Sequence, residues 1–255
     1  MDFRFYSSYR EKVKKVFSGD SEIYFGKGFT LSNIKKWEKY NNKTALTYIY
    51  DIGKFKGENS NKSQFEYLLR NLFAVKFSHR FPVWKKNNLD KKINKDYQFT
   101  PKVIKQGLTW NINFDGGLFF YDNGESQKAV SIATGPVLTL GSLKKNMFDY
   151  SRLEMNVNFI SKSGLSPFKF DDIDDTNKLQ IIFNQQILGP IVFGYATNLK
   201  IDSSSGEQNL NKPKYSIDIN RRAYSFGLFY DKENESIGAK FNIFNFGHQG
   251  AYRKF

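Results

Sequence analysis

The feature that most constrains this chain is a period of two in apolar character, repeated along its length and punctuated by turn residues. From Leu108 the apolar set runs Leu108, Trp110, Ile112, Phe114, Leu118 and Phe120, and the interleaved set is Thr109, Asn111, Asn113, Asp115, Gly117 and Phe119. A strand sends successive side chains to opposite faces, so this alternation specifies strands rather than helices. The segment ends at Asn123-Gly124, a pair that favours a tight hairpin, and the pattern resumes with Val130, Ile132, Leu138 and Leu140. It recurs in Leu153, Met155, Val157 and Phe159, opposed by Arg152, Glu154, Asn156 and Asn158. Tyr215, Ile217 and Ile219 oppose Ser216, Asp218 and Asn220, and Ile237, Ala239, Phe241 and Ile243 oppose Gly238, Lys240 and Asn242. The chain reads as all-β.

Strands are expected near 2–14, 22–34, 44–55, 71–84, 108–121, 128–141, 150–161, 179–188, 190–201, 213–221, 223–231 and 236–246, about twelve in all. The first hundred residues are noisier, and 62–76 also fits a helical period. A Lys/Asn-rich stretch, 85–106, reads as a solvated loop. No boundary is compelling, so residues 1–255 read as a single antiparallel up-and-down domain.

Alternation fits both a soluble sandwich, whose apolar face is a core, and a membrane barrel, whose apolar face meets lipid. Three features favour the barrel. Many segments exceed the usual strand length of roughly 5–6 residues and suit tilted membrane strands of roughly 9–11. Aromatics crowd strand ends, among them Phe119, Tyr121, Phe148, Tyr150, Tyr224 and Tyr230, as interfacial girdles do. Connections alternate between long and short, with 85–107 the exception on the short side. Charge placement agrees: Asp115, Glu154, Asp218 and Lys240 all take the polar parity, and a lysine on the lipid face at mid-bilayer costs roughly 2–4 kcal/mol. The expected lumen lining is therefore Asp115, Glu154, Asn156, Asn158, Asp218, Asn220, Lys240 and Asn242.

Composition removes several alternatives. The chain has no cysteine, which excludes disulfides and thiolate chemistry, and only two histidines, His79 and His248. No P-loop, zinc-protease or nucleophile-elbow pattern occurs, so no enzymatic activity and no cofactor are expected. The net charge of +14 comes mostly from lysines scattered among asparagines, without a nucleic-acid recognition motif. Asp171, Asp172, Asp174 and Asp175 form the densest acidic cluster. Carboxylates suit hard divalent cations, but the spacing lacks a calcium-loop pattern, and a plain acidic loop is the competing reading. No stretch is long and apolar enough for a membrane helix, and the opening "MDFRFYSSYREKVKK" has no signal-peptide core.

The segments "FRFYSSYREK" (3–12), "GLTWNINFDGGLFFYDNGESQKAVSIATGPVLTLG" (107–141), "SGLSPFKFDDIDDT" (163–176), "QQILGPIVFGYAT" (185–197) and "YSIDINRRAYSFGLFYD" (215–231) resemble a cyanobacterial outer-membrane domain family. That family is similar to the C-terminal barrel of the lipopolysaccharide-assembly protein LptD, or OstA. The resemblance implies outer-membrane residence, with the C-terminus periplasmic, and insertion of lipopolysaccharide into the outer leaflet. It also implies a periplasmic lipopolysaccharide-transport bridge and the barrel-assembly machinery as partners. The last strand, with Ile237, Ala239, Phe241 and Ile243, would form a lateral gate, and the terminal Phe255 resembles an assembly signal. The family's periplasmic domain, signal peptide and cysteines do not occur, and the strand count is near half that of a full barrel. A C-terminal part of a longer protein is therefore expected. A passive porin and a soluble β-sandwich binding module are the competing functions.

Overall fold

The computed structural model describes residues 2–8, 11–14, 20–23, 25–39, 42–59, 64–86, 95–173, 177–201, 213–232 and 235–244. It is all-β, as the alternation requires. The strands are β1 (Asp2–Ser8), β2 (Glu11–Lys14), β3 (Asp20–Ile23), β4 (Phe25–Lys39), β5 (Asn42–Glu58), β6 (Phe65–Lys85) and β7 (Gly107–Tyr121). There follow β8 (Ser126–Gly141), β9 (Tyr150–Gly164), β10 (Lys178–Leu188), β11 (Ile191–Lys200), β12 (Lys214–Asn220), β13 (Tyr224–Asp231) and β14 (Ser236–Ile243). Twelve of them form one up-and-down sheet in the order β1-β4-β5-β6-β7-β8-β9-β10-β11-β12-β13-β14. Among the described residues no helix is long and apolar enough to cross a membrane.

Two expectations change. The single strand expected over 2–14 divides, because β1 pairs with β4, from Asp2↔Ser32 to Ser8↔Gly26, while β2 and β3 pair with each other as a separate ribbon. The helical period over 62–76 belongs to a strand: β6 runs antiparallel to β5 from Glu58↔Phe65 to Lys43↔Arg80. The period is blurred because both faces of β6 carry large apolar side chains. Leu72 and Ala74 are buried while Phe73 between them is exposed.

The contacts gather into two compact units. The first comprises 1–81, 111–134 and 157–177, and the second 82–110, 135–156 and 178–255. Within both, the two faces of the strands differ in exposure. The parity that carries Leu118, Phe120, Val130, Ile132, Ile217, Ile219, Phe226, Leu228 and Ile237 is exposed, and Ile237 reaches 81%. The opposite parity is buried at Gly117, Phe119, Gln127, Ala129, Ser131, Val192, Gly194, Ser225 and Gly227. We refer to these as the bare and the covered faces.

Turn chemistry follows the sequence closely at the β7–β8 hairpin. Gly124 takes φ +86°, the left-handed region open to glycine. The Asn123 side chain accepts from the Glu125 backbone N–H at 3.1 Å, and the Gly124 N–H donates to the Tyr121 carbonyl at 3.1 Å.

Candidate functional site

In the first unit the covered face holds a folded plug. Gly164, with φ +82°, ends β9, and residues 165–173 then turn onto the covered faces of β5 to β8. Ser166, Pro167, Phe168, Phe170, Asp171 and Ile173 are all buried. Phe168 and Phe170 stack with centroids 4.7 Å apart, and Tyr121 meets Phe168 edge-on at 5.8 Å. Their seat is Gly57: a Cβ there would stand 2.6 Å from the Phe170 ring and 2.9 Å from the Phe168 ring. Phe55, Leu72, Ala74, Phe119 and Ala129 complete the apolar cluster. Hydrogen bonds to backbone carbonyls fix the segment, since Lys169 N–H donates to the Glu58 carbonyl at 2.9 Å and the Ser166 side-chain Oγ donates to the Phe168 carbonyl at 2.9 Å.

At the centre lies a buried charge network. Arg70 on β6 donates through Nη1 to Asp171 Oδ1 at 2.7 Å and through Nη2 to Asp51 Oδ2 on β5. Thr30 donates to the other Asp51 oxygen at 2.6 Å, and Tyr121 Oη donates to Asp171 Oδ2 at 3.1 Å. Gln127 Nε2 donates to the Asp171 carbonyl at 2.9 Å. The Arg70 guanidinium also lies 4.3 Å over the Phe55 ring, a cation–π contact. Burial pushes the Asp171 carboxyl above its ordinary range, against the opposing pull of Arg70 and the Tyr121 hydrogen bond. Two carboxylates thus share one guanidinium in a site sealed from water, an arrangement that fixes the plug in one place.

The second unit carries its own covering segment. Residues 95–106 lie within the long connection between β6 and β7. The segment is a loop, as expected, but it is not solvated throughout: Tyr97, Phe99 and Thr100 are buried, and Phe99 packs with Leu143 and Val192. Lys144 stands 4.6 Å over the Tyr97 ring and Arg221 5.7 Å over Phe99. This is the physical account of the one long connection on the short side. Nearby, the wholly buried Gln186 sits at a bulge in β10. It accepts from the Asp149 N–H at 2.8 Å and donates to the carbonyls of Lys145 at 2.9 Å and Gly189 at 2.7 Å.

The polar residues singled out by parity all fall on the covered side of their strands. Across β12, β13 and β14 the register aligns Asp218, Gly227 and Lys240 in one row and Asn220, Ser225 and Asn242 in the next. Lys240 Nζ meets Asp218 Oδ1 at 2.7 Å, and Asn242 Nδ2 donates to Ser225 Oγ at 3.3 Å. Gly227 permits the first bridge, because a Cβ there would collide with Asp218 Oδ1 and with the Lys240 side chain. On β9, Arg152 pairs with Glu154 at 2.7 Å, and Asn156 and Asn158 follow on the same parity, half-buried. Asp115 is half-buried on β7, with the positive charge of Lys76 nearby.

The remaining candidates separate. Ile237, Ala239, Phe241 and Ile243 are exposed along the bare face of β14, with Phe241 6.1 Å from the Tyr224 ring. Asp171 is engaged by Arg70, and Asp172 faces Lys162 at 3.2 Å. Asp174, Asp175, His248 and Phe255 lie outside the described residues. Among the described residues no group of three or more His, Asp or Glu side chains is placed to hold a metal ion. His79 is on β6, its Nδ1 2.8 Å from Thr44 Oγ1 and its ring beside Phe77 and Phe81. Sequence reasoning missed Arg70, Asp51, Tyr121, Gln127 and Gly57. Their one available signal was opposite charges on the polar parity of adjacent strands, near glycines and ahead of an aromatic loop.

These features define a class: an up-and-down antiparallel sheet with an exposed apolar face and, in each unit, an opposite face covered by a folded connection. The chain belongs to a family described as protein of unknown function (DUF3769), whose model matches residues 1–247. No curated protein and no solved structure matches it.

Proposed function

We propose that the chain is the wall of an outer-membrane barrel, and that it serves lipopolysaccharide insertion into the outer leaflet without enzymatic chemistry. One observation carries the membrane half of this reading: large apolar side chains are exposed on one parity of strand after strand, while most of the charged strand residues take the opposite parity. In water such a face is unfavourable at roughly 25 cal/mol per Å² of apolar area, and contiguous exposure of this extent marks an interaction surface. A soluble sandwich would pack that face against a second layer. Charge follows the same division. On β12, β13 and β14 the bare face has no charged residue, and lysines of the bare parity elsewhere, among them Lys27, Lys35, Lys54, Lys56, Lys85 and Lys128, lie toward strand ends.

The export half rests on the resemblance and on two supporting features. In each unit an aromatic connection occupies the covered face, which suits a plugged translocon better than an open porin. β1 and β14 stand at the two ends of the strand order, and an unpaired backbone edge in hydrocarbon costs several kcal/mol per group. The edge of β14 must therefore find a strand partner, and that seam is the exit gate. A periplasmic lipopolysaccharide-transport bridge supplies substrate, and assembly machinery reads the C-terminal aromatics, Phe255 included.

The experiment is reconstitution of the purified protein into vesicles and planar bilayers. The reading predicts heat-modifiable migration in detergent gels, stable insertion and little steady conductance. In the cell, paired cysteines across the β14 seam should stop export until a reductant is added. Steady ohmic conductance would instead make the chain a porin, and failure to insert would return it to the soluble sandwich.

A further inference from the structure

We propose that the bare face of the first unit holds one acyl chain of an anionic lipid, in a groove between β6 and β9 whose mouth is marked by Lys128. The inference deepens the membrane reading above and rests on it. The groove has a volume of about 400 Å³ and is lined by Phe73 and Val75 of β6, Phe114 and Leu118 of β7, and Val130 of β8. It exists because β7 has glycine at position 116, in a row otherwise filled by Trp110, Ile112, Phe114, Leu118 and Phe120. The gap is open space rather than a tight backbone approach: a Cβ at Gly116 would meet only the Phe114 ring, at 3.5 Å.

The few polar residues of the groove lie toward one end of its strands. Ser161, Ser163 and Lys128 also line the groove. Lys128 is the third residue of β8, close to the hairpin at 122–125. It makes no ion pair among the described residues, whereas Lys162 beside it is paired with Asp172. The next bare-face cations on this side are Lys54 and Lys56, each 5.9 Å over an aromatic ring of β6. An apolar slot with a lysine that forms no ion pair among the described residues toward its strand-end side suits a single amphiphile, its chain in the slot and its anionic headgroup at Lys128. A basic residue at a bilayer surface attracts anionic lipid in this way.

The test uses native mass spectrometry after reconstitution into phosphatidylcholine vesicles containing phosphatidylglycerol, followed by extraction in mild detergent. The wild-type chain should retain one phosphatidylglycerol in preference to phosphatidylcholine. Lys128→Gln should weaken retention about fivefold, the weight of one basic residue near an anionic surface. Gly116→Leu, which fills the slot, should abolish it, and heat-modifiable migration checks that the variant is folded. Should it misfold, Val130→Trp blocks the same slot from an already exposed position. Retention unchanged by these substitutions, or equal retention of the two lipids, overturns the proposal. A wild-type chain that enters vesicles but retains no lipid defeats this inference alone, whereas one that never enters them defeats the membrane reading as well.

Discussion

Arg70 is the residue on which the plug turns. It is buried, bonded to two carboxylates from different parts of the chain, and stacked on Phe55. Removing one member of such a group leaves the others charged and unpaired out of water, at a cost of about 3–5 kcal/mol. Arg70→Ala should therefore lower the unfolding free energy of the protein in detergent by that much, read as a fall in the denaturant midpoint at unchanged slope. Asp171→Asn, which keeps the guanidinium paired to Asp51, should cost less. Equal loss from both would mean that the network is not organised around Arg70. Gly57 tests the apolar half of the same site. Gly57→Val drives a branched side chain into Phe168 and Phe170, overpacking worth about 1–3 kcal/mol. Because the chain has no cysteine, Ser166→Cys reports release directly. The thiol should resist a water-soluble maleimide in the parent and react in the Gly57→Val background.

At the scale of the element, the two faces of a strand should tolerate charge unequally. Phe193 and Ile217 are register partners on the bare side of β11 and β12. Ser216 and Asn198 take the covered parity. A lysine at Phe193 or Ile217 should cost about 2–4 kcal/mol in membrane assembly, and one at Ser216 or Asn198 far less, as read by the yield of heat-modifiable protein in vesicles. Equal yields would sink the assignment of faces. This pattern was legible because β12 and β13 alternate cleanly, and the Asn123-Gly124 turn was legible for its chemistry. β6 was not. Its covered face packs on a loop far away in sequence, so Leu72 and Ala74 joined Phe73 and Val75 in a run with no clear period of two. The same long-range contact hid the plug. Phe168 and Phe170 look like ordinary loop residues until the register of β5 and β6 brings Gly57 and Arg70 beneath them. Tyr97 and Phe99 were obscured in the same way by the lysines and asparagines around them.

For the whole molecule, function depends on which solvent meets the bare face. β12 provides the most direct reading, because it is short and alternates from Tyr215 to Asn220, with Tyr215, Ile217 and Ile219 exposed and Ser216, Asp218 and Asn220 half-buried. Single cysteines at these six positions, each carrying a nitroxide, can be compared in lipid vesicles for collision with oxygen, which concentrates in hydrocarbon, and with a water-soluble nickel chelate. The account predicts an oxygen-dominated signal at 215, 217 and 219 and no such dominance at 216, 218 and 220, a period of two in phase with the exposed apolar parity. Nickel-dominated collisions at Tyr215, Ile217 and Ile219 would contradict it, placing the apolar face in water.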